Sequence, residues 1–169
     1  MHKKTFEIRD DLQNITEINN YFEVDEMIVS SIQVLNRKGY LTRDCCSGHL
    51  FKWNNETSDW DKFPPGYKPK TLKEYERKYG LSPAGINVCE VAFKPGIVPP
   101  ELPPGFTGFT YTALKPDVFF RIRYEYKKVE YTRAGFNAAL DEITETMKRL
   151  YMWAVRLPNF SVPNSNTLF

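Results

Sequence analysis

The chain has 169 residues, a net charge of +2 and a hydrophobic fraction of 41%, a composition that belongs to folded domains and excludes wholesale disorder. With a pI near 8.3 it lacks the overall basic field of a dedicated nucleic-acid binder, so any such role falls to a local patch. No run approaches the roughly 18 apolar residues that cross a bilayer. Met1-His2-Lys3-Lys4 leads into polar sequence and not into a signal peptide's apolar segment, and the three cysteines, with Cys45 and Cys46 adjacent, make a poor disulfide framework. A soluble cytoplasmic protein without membrane association is the expectation.

Residues 1–20 alternate weakly and read as a polar arm with room for a short strand. From Asp25, placed to cap free amides, the pattern turns helical: Ile28, Ile32 and Leu35 share one face, and Gly39 after Arg37-Lys38 supplies a stop. Tyr40 to Cys46 reads as a strand running into a tight turn at Ser47-Gly48-His49. Residues 52–84, with Trp53, Trp60, Pro64-Pro65-Gly66 and Pro69, read as a surface insertion; within it Thr71-Leu72-Lys73-Glu74 has capping-box spacing and predicts a short helix with Leu72, Tyr75 and Tyr79 on one face. Ile86 to Lys94 is a strand stopped by Pro95-Gly96. The proline-rich connector 98–106 follows, then a strand over Thr107 to Leu114.

Val118 to Lys127 is the clearest strand. Val118, Phe120, Ile122, Tyr124 and Tyr126 fall on a buried face, and Arg121, Arg123, Glu125 and Lys127 on a wet one. Last comes a long helix whose stripe, Phe136, Leu140, Ile143, Met147, Leu150, Ala154 and Leu157, recurs at spacings of four and three until Pro158. Together these predict an α+β fold: a mainly antiparallel sheet of about four to five strands covered on one face by two helices, including the long C-terminal one. Residues 1–158 form one domain in this reading, and 159–169 a disordered tail.

Chemistry concentrates at Asp44-Cys45-Cys46-Ser47-Gly48-His49, which sets thiols, a hydroxyl and an imidazole at a strand end, where rigid elements position functional loops. Cys46 and His49 have metal-ligand spacing, and Cys89 joins them if its strand pairs with the one ending at Cys46; a closed zinc site still lacks a fourth ligand. Nucleophilic catalysis by Cys46 with His49 as base requires an exposed, electropositive thiol, which Asp44 opposes. The plain alternative is a buried cysteine, a tight turn and a histidine bonded to backbone. Arg121 and Arg123, two residues apart on one strand face, are candidate contacts for a phosphate or carboxylate. Between Lys62 and Lys78, Lys62, Lys68, Lys70, Lys73, Arg77 and Lys78 interleave with Tyr67, Tyr75 and Tyr79, the mixture that grips RNA or nucleotides; a solvated surface of ion pairs is the competing reading.

The segment Leu35-Asn36-Arg37-Lys38-Gly39-Tyr40-Leu41-Thr42 followed by Cys45-Cys46-Ser47-Gly48-His49, with Val91-Ala92-Phe93, Leu102-Pro103-Pro104-Gly105-Phe106 and Trp153-Ala154-Val155-Arg156-Leu157-Pro158, resembles a family of small bacterial proteins, some from phages and mobile elements. That likeness spans most of the chain from Asp25 to Pro158 and brings no activity with it. Separately, Cys46-Ser47-Gly48 after a helix is similar to the Ser-Ser-Cys-Ser-Gly-Arg turn of the wybutosine-synthesis methyltransferases, which modify transfer RNA with S-adenosylmethionine; His49 stands where that family has arginine. This second resemblance implies a turn that faces a ligand, with Ser47, Gly48 and His49 lining the pocket. The leading expectation is a ligand-binding or accessory domain with its site at Cys46, Ser47, Gly48 and His49 and with Arg121 and Arg123 as anion contacts. The alternatives are an RNA- or nucleotide-modifying enzyme and a homodimer formed through the C-terminal helix.

Overall fold

A computed structural model describes residues 3–8, 20–25, 27–61, 68–79, 84–112 and 118–161, with the backbone alone at 3–8, 20–25 and 79. Strands β1 (Lys3–Ile8) and β2 (Asn20–Asp25) form an antiparallel pair, and helix α1 covers Val29–Arg37. Asp25 ends β2 and is not the helix cap; Ile28 occupies the cap position without a side-chain hydrogen bond, because its own side chain is taken into the core. The stop is as the sequence implies. Gly39 sits at φ +87°, a left-handed conformation that only glycine adopts cheaply. Asn36 then ties the helix end to the next strand, accepting from the Thr42 N–H at 3.0 Å and donating to the Thr42 hydroxyl at 2.9 Å.

Strand β3 (Thr42–Cys46) is followed by β4 (Leu50–Asn54), β5 (Asp59–Asp61), helix α2 (Leu72–Tyr79), β6 (Ala84–Ile86), β7 (Cys89–Phe93), β8 (Thr107–Tyr111), β9 (Phe119–Tyr124) and helix α3 (Arg133–Arg156). The principal sheet is antiparallel in the order β3-β7-β9-β8, and a smaller antiparallel sheet has the order β5-β4-β6. The fold is therefore α+β.

One face of the principal sheet is built by alternation. Cys89, Val91 and Phe93 of β7 and Ile122 of β9 turn toward Ile32 and Leu35 of α1 and toward Ile143, Met147, Leu150, Trp153 and Ala154 of α3. Each aliphatic side chain taken fully out of water here contributes roughly 1.5–3 kcal/mol. Helix α3 starts at Thr132, whose hydroxyl accepts from the Gly135 N–H at 3.0 Å. Its predicted stripe is buried from Ile143 to Leu157, whereas Leu140 is 49% exposed and Ala139 packs inward in its place. The smaller side chain faces Ala84 and Val129, where the helix runs close to β6. Beyond Pro158 the chain is still held: the Phe160 N–H donates to the Lys38 carbonyl at 2.7 Å and its ring meets Tyr40 edge-on. Asn159 and Phe160 thus continue the fold where the sequence predicts a tail; 162–169 lie outside the described residues.

Residues 52–84 hold more than the predicted short helix. Trp53 on β4 and Trp60 on β5 face each other across the pair and join Phe51 and Tyr75 in a separate aromatic cluster, with ring centroids 4.6–5.9 Å apart. The capping box of α2 is present in modified form. The Thr71 hydroxyl accepts from the Glu74 N–H at 3.1 Å, while the Glu74 carboxylate reaches one residue further, to the Lys70 N–H at 2.8 Å. The predicted strand over Ile86–Lys94 is two strands, β6 and β7, divided at Asn87-Val88, so each belongs to a different sheet. Among the described residues no helix is long and apolar enough to cross a membrane.

Candidate functional site

The turn after β3 is a packed corner. Gly48 has φ +98°, and a Cβ added there stands 2.5 Å from the Tyr126 ring. The Tyr126 hydroxyl donates to the Ser47 carbonyl; burial, then the nearby Cys89 and Cys46, push its pKa far above that of an ordinary phenol, so it stays a donor. Asn87 closes the other side: its Oδ1 accepts from the His49 N–H and its Nδ2 points at the Cys46 sulfur at 3.4 Å. Ser47 is fully buried, Gly48 buried, and Cys46 and His49 half-buried. Cys89 lies in the core. Among the described residues no group of three or more His, Cys, Asp and Glu stands together as metal ligands.

The arginine pair lies on the sheet face away from α1 and α3, and the register brings Cys46 into the same rows. Glu90 on β7 stands between Cys46 on β3 and Arg123 on β9, with Thr107 beyond. In the next row Ala92 stands between Asp44 and Arg121, with Phe109 beyond, and Phe119 faces Tyr111 at the end of β9. Glu90 is the pivot. One carboxylate oxygen accepts from Arg121 Nη1, and the other from Arg123 Nε at 2.8 Å and Nη2 at 2.7 Å. A carboxylate in an otherwise apolar central strand demands such cations, since an unpaired buried charge is costly.

The guanidinium groups lie over rings. Arg121 is 4.9 Å from the Tyr111 centroid and 5.0 Å from that of Phe119, and Arg123 is 4.9 Å from Phe109. Arg43, the extra residue where the β3 register shifts between Thr42 and Asp44, reaches across β7 to within 4.7 Å of Phe119. Phe119 is consequently 1% exposed although alternation assigns it to the wet face, while Val118, expected inside, is 47% exposed. This second face is thus half-covered by its own layer of planar side chains, not simply solvated.

Asp44 completes the rim, 3.4 Å from Arg121. Its carboxyl is raised above the usual carboxylate range, mainly by partial desolvation on a side chain that is still 50% exposed; Arg121 opposes the shift, Glu90 adds to it and Arg43 opposes it. A folded-state value above the unfolded one means that ionised Asp44 works against folding above that value, and the penalty is relieved as pH falls through it toward the unfolded value. Asp44→Asn is therefore expected to melt at or above the wild-type temperature at neutral pH, the gap closing as the buffer is taken toward about pH 4; a variant less stable at neutral pH would reverse the sign.

The basic stretch 62–78 is described from Lys68. Lys70, Lys73, Arg77 and Lys78 are exposed, Lys68 pairs with Asp59 at 2.7 Å, and Tyr75 is 6% exposed inside the aromatic cluster. Its ring is therefore not on offer to a base; Lys62 and Tyr67 lie outside the described residues, as does the side chain of Tyr79. A groove of about 600 Å³ between residues 127–130 and the start of α3 carries both signs of charge, from Lys127 and Lys128 to Asp141 and Glu145.

Sequence reasoning finds Arg121, Arg123 and Cys46 but misses Glu90, Phe109, Tyr111 and Phe119, which share their face. Glu90 amid Cys89, Val91, Ala92 and Phe93 is the available signal, a lone carboxylate whose matching cations are two residues apart on another strand. Comparison of the chain with protein-family models, with curated proteins and with solved structures gives no match.

Proposed function

We propose that the chain is a non-catalytic binding domain that takes single-stranded nucleic acid on the second face of its principal sheet. What supports this is the cation-and-ring layer: Arg43, Arg121 and Arg123 stand over the rings of Phe109, Tyr111 and Phe119, with Glu90 fixing two of the guanidinium groups from the edge. Glu90 engages Arg121 Nη1 and Arg123 Nε and Nη2, which holds both guanidinium groups beside the rings, and stacking on aromatic rings and guanidinium planes is how unpaired bases are held. Three guanidinium groups against the carboxylates of Asp44 and Glu90 leave the face mildly cationic, which suits a polyanion without a strong salt dependence. Cys46 belongs to this surface as the end of the Glu90 row, and the turn from Ser47 to His49 serves as the corner that holds β3 in place.

Fluorescence anisotropy with labelled single-stranded RNA and DNA tests the reading. Base stacking is worth about 1–3 kcal/mol per base, so Tyr111→Ala is expected to weaken binding between roughly fivefold and 150-fold, with Lys73→Ala/Arg77→Ala close to wild type. Loss of binding in the α2 variant with Tyr111→Ala unaffected would move the site to the basic stretch, and no binding by the wild type would dismiss the reading.

A further inference from the structure

The two edges of the principal sheet differ in a way that the ligand reading does not use. At the β3 edge the register is broken between Thr42 and Asp44, charged Arg43 and Asp44 sit at the irregularity, and β2 lies alongside. These are the devices by which a sheet edge avoids pairing with another chain. The β8 edge has none of them. Thr107-Gly108-Phe109-Thr110-Tyr111 carries no charge and no proline, its register with β9 runs unbroken from Thr107 to Tyr111, and Thr107, Gly108 and Thr110 are exposed. Among the described residues no strand pairs with its outer side.

We infer that β8 is a self-pairing edge, through which two copies of this chain join their principal sheets antiparallel about a twofold axis at Phe109. An antiparallel strand pair is isologous, so one unprotected edge suffices for a closed dimer. The axis sets Phe109 against Phe109 of the other copy, Gly108 against Thr110 and Thr107 against Tyr111, all neutral cross-strand pairs and two of them aromatic, the class that stabilises a sheet. Leu102, 41% exposed and overhanging Gly108, adds apolar area at the seam. Charge does not oppose the union: the β9 strands that carry Arg121 and Arg123 are three strand spacings apart across the seam, roughly 14 Å, beyond the ~8 Å screening length at physiological salt. A copy also supplies a strand of matching length and pattern, whereas an uncharged edge offers a foreign strand nothing to be selected by.

Sedimentation velocity of the full chain over a concentration series tests this together with Thr107→Lys/Thr110→Lys, which places charges at the seam without touching the core. The expected result is a concentration-dependent dimer for the wild type and a monomer with an unchanged circular dichroism spectrum for the variant. Should the variant fold poorly, hydrogen exchange of the wild type decides instead: amides of 107–111 should slow as concentration rises. A wild type that stays monomeric at millimolar concentration overturns the inference, and so does a dimer that survives both lysines and dissociates with Tyr151→Lys/Val155→Lys on α3.

Discussion

Glu90→Ala is expected to be the most damaging single substitution on the sheet face, lowering stability by about 3 kcal/mol. The carboxylate is 8% exposed and holds both arginines. Without it the Arg121 guanidinium, 19% exposed, keeps only Asp44, 3.4 Å away and half open to solvent, as counter-charge. Breaking a buried pair by removing one partner costs about 3–5 kcal/mol, mostly for the stranded charge; Arg123, 37% exposed, can turn to water, which puts the loss at the lower end. At roughly 2–4 °C per kcal/mol for a chain of this size, the melting temperature should fall by about 6–12 °C. Glu90→Gln keeps an acceptor and should lose less, and Glu90→Leu/Arg121→Met, which removes the charge with its partner, should recover most of the loss. Scanning calorimetry of the three variants separates a stranded charge from lost packing: equal damage in all would mean that the ion pair is not what Glu90 supplies.

Gly48→Ala is the second large effect, about 2–5 kcal/mol, summed from the backbone strain of a non-glycine residue at positive φ and the overpacking of its methyl group. The backbone stands at φ +98° and the new Cβ meets Tyr126 Cε2 at 2.5 Å. Only the second part of that cost depends on the ring. In a Tyr126→Ala background Gly48→Ala should therefore cost less, keeping the strain of roughly 1–2 kcal/mol and the 3.1 Å approach to the Asn87 carbonyl, and urea unfolding of the four proteins of this cycle measures the coupling. An undiminished cost in that background would show that the ring is not what the turn is built against. The result bears on function, since the corner fixes the end of β3 and with it Cys46 and Asp44 at the rim of the sheet face.

Helix α3 is legible because its stripe persists over many turns, and β9 because apolar and charged residues alternate from Phe120 to Lys127. Their errors have one cause. Leu140 is exposed and Ala139 buried because β6 runs close to the helix, and Phe119 is buried because Arg43 and Arg121 arrive from other strands; neither neighbour is visible in a local pattern. Strands β4, β5 and β6 escape notice since each is only three to five residues long, too short for a clear period-two pattern. The candidate site follows the same logic. The Ser47-Gly48-His49 turn is evident from composition, but Asn87 and Tyr126, which close it, lie 38 and 79 residues away from their partners. The arginines are evident too, whereas the carboxylate and rings that orient them become neighbours only once β7, β8 and β9 align.

Amide chemical-shift mapping of the labelled protein titrated with a single-stranded oligonucleotide is the most direct test of the sheet face as ligand surface. Perturbations should centre on Glu90, Phe109, Tyr111, Arg121 and Arg123, spreading to Asp44 and Cys46 at the rim. Shifts confined to α2, to α3 or to the groove beside Lys127, with β7, β8 and β9 silent, would contradict the account.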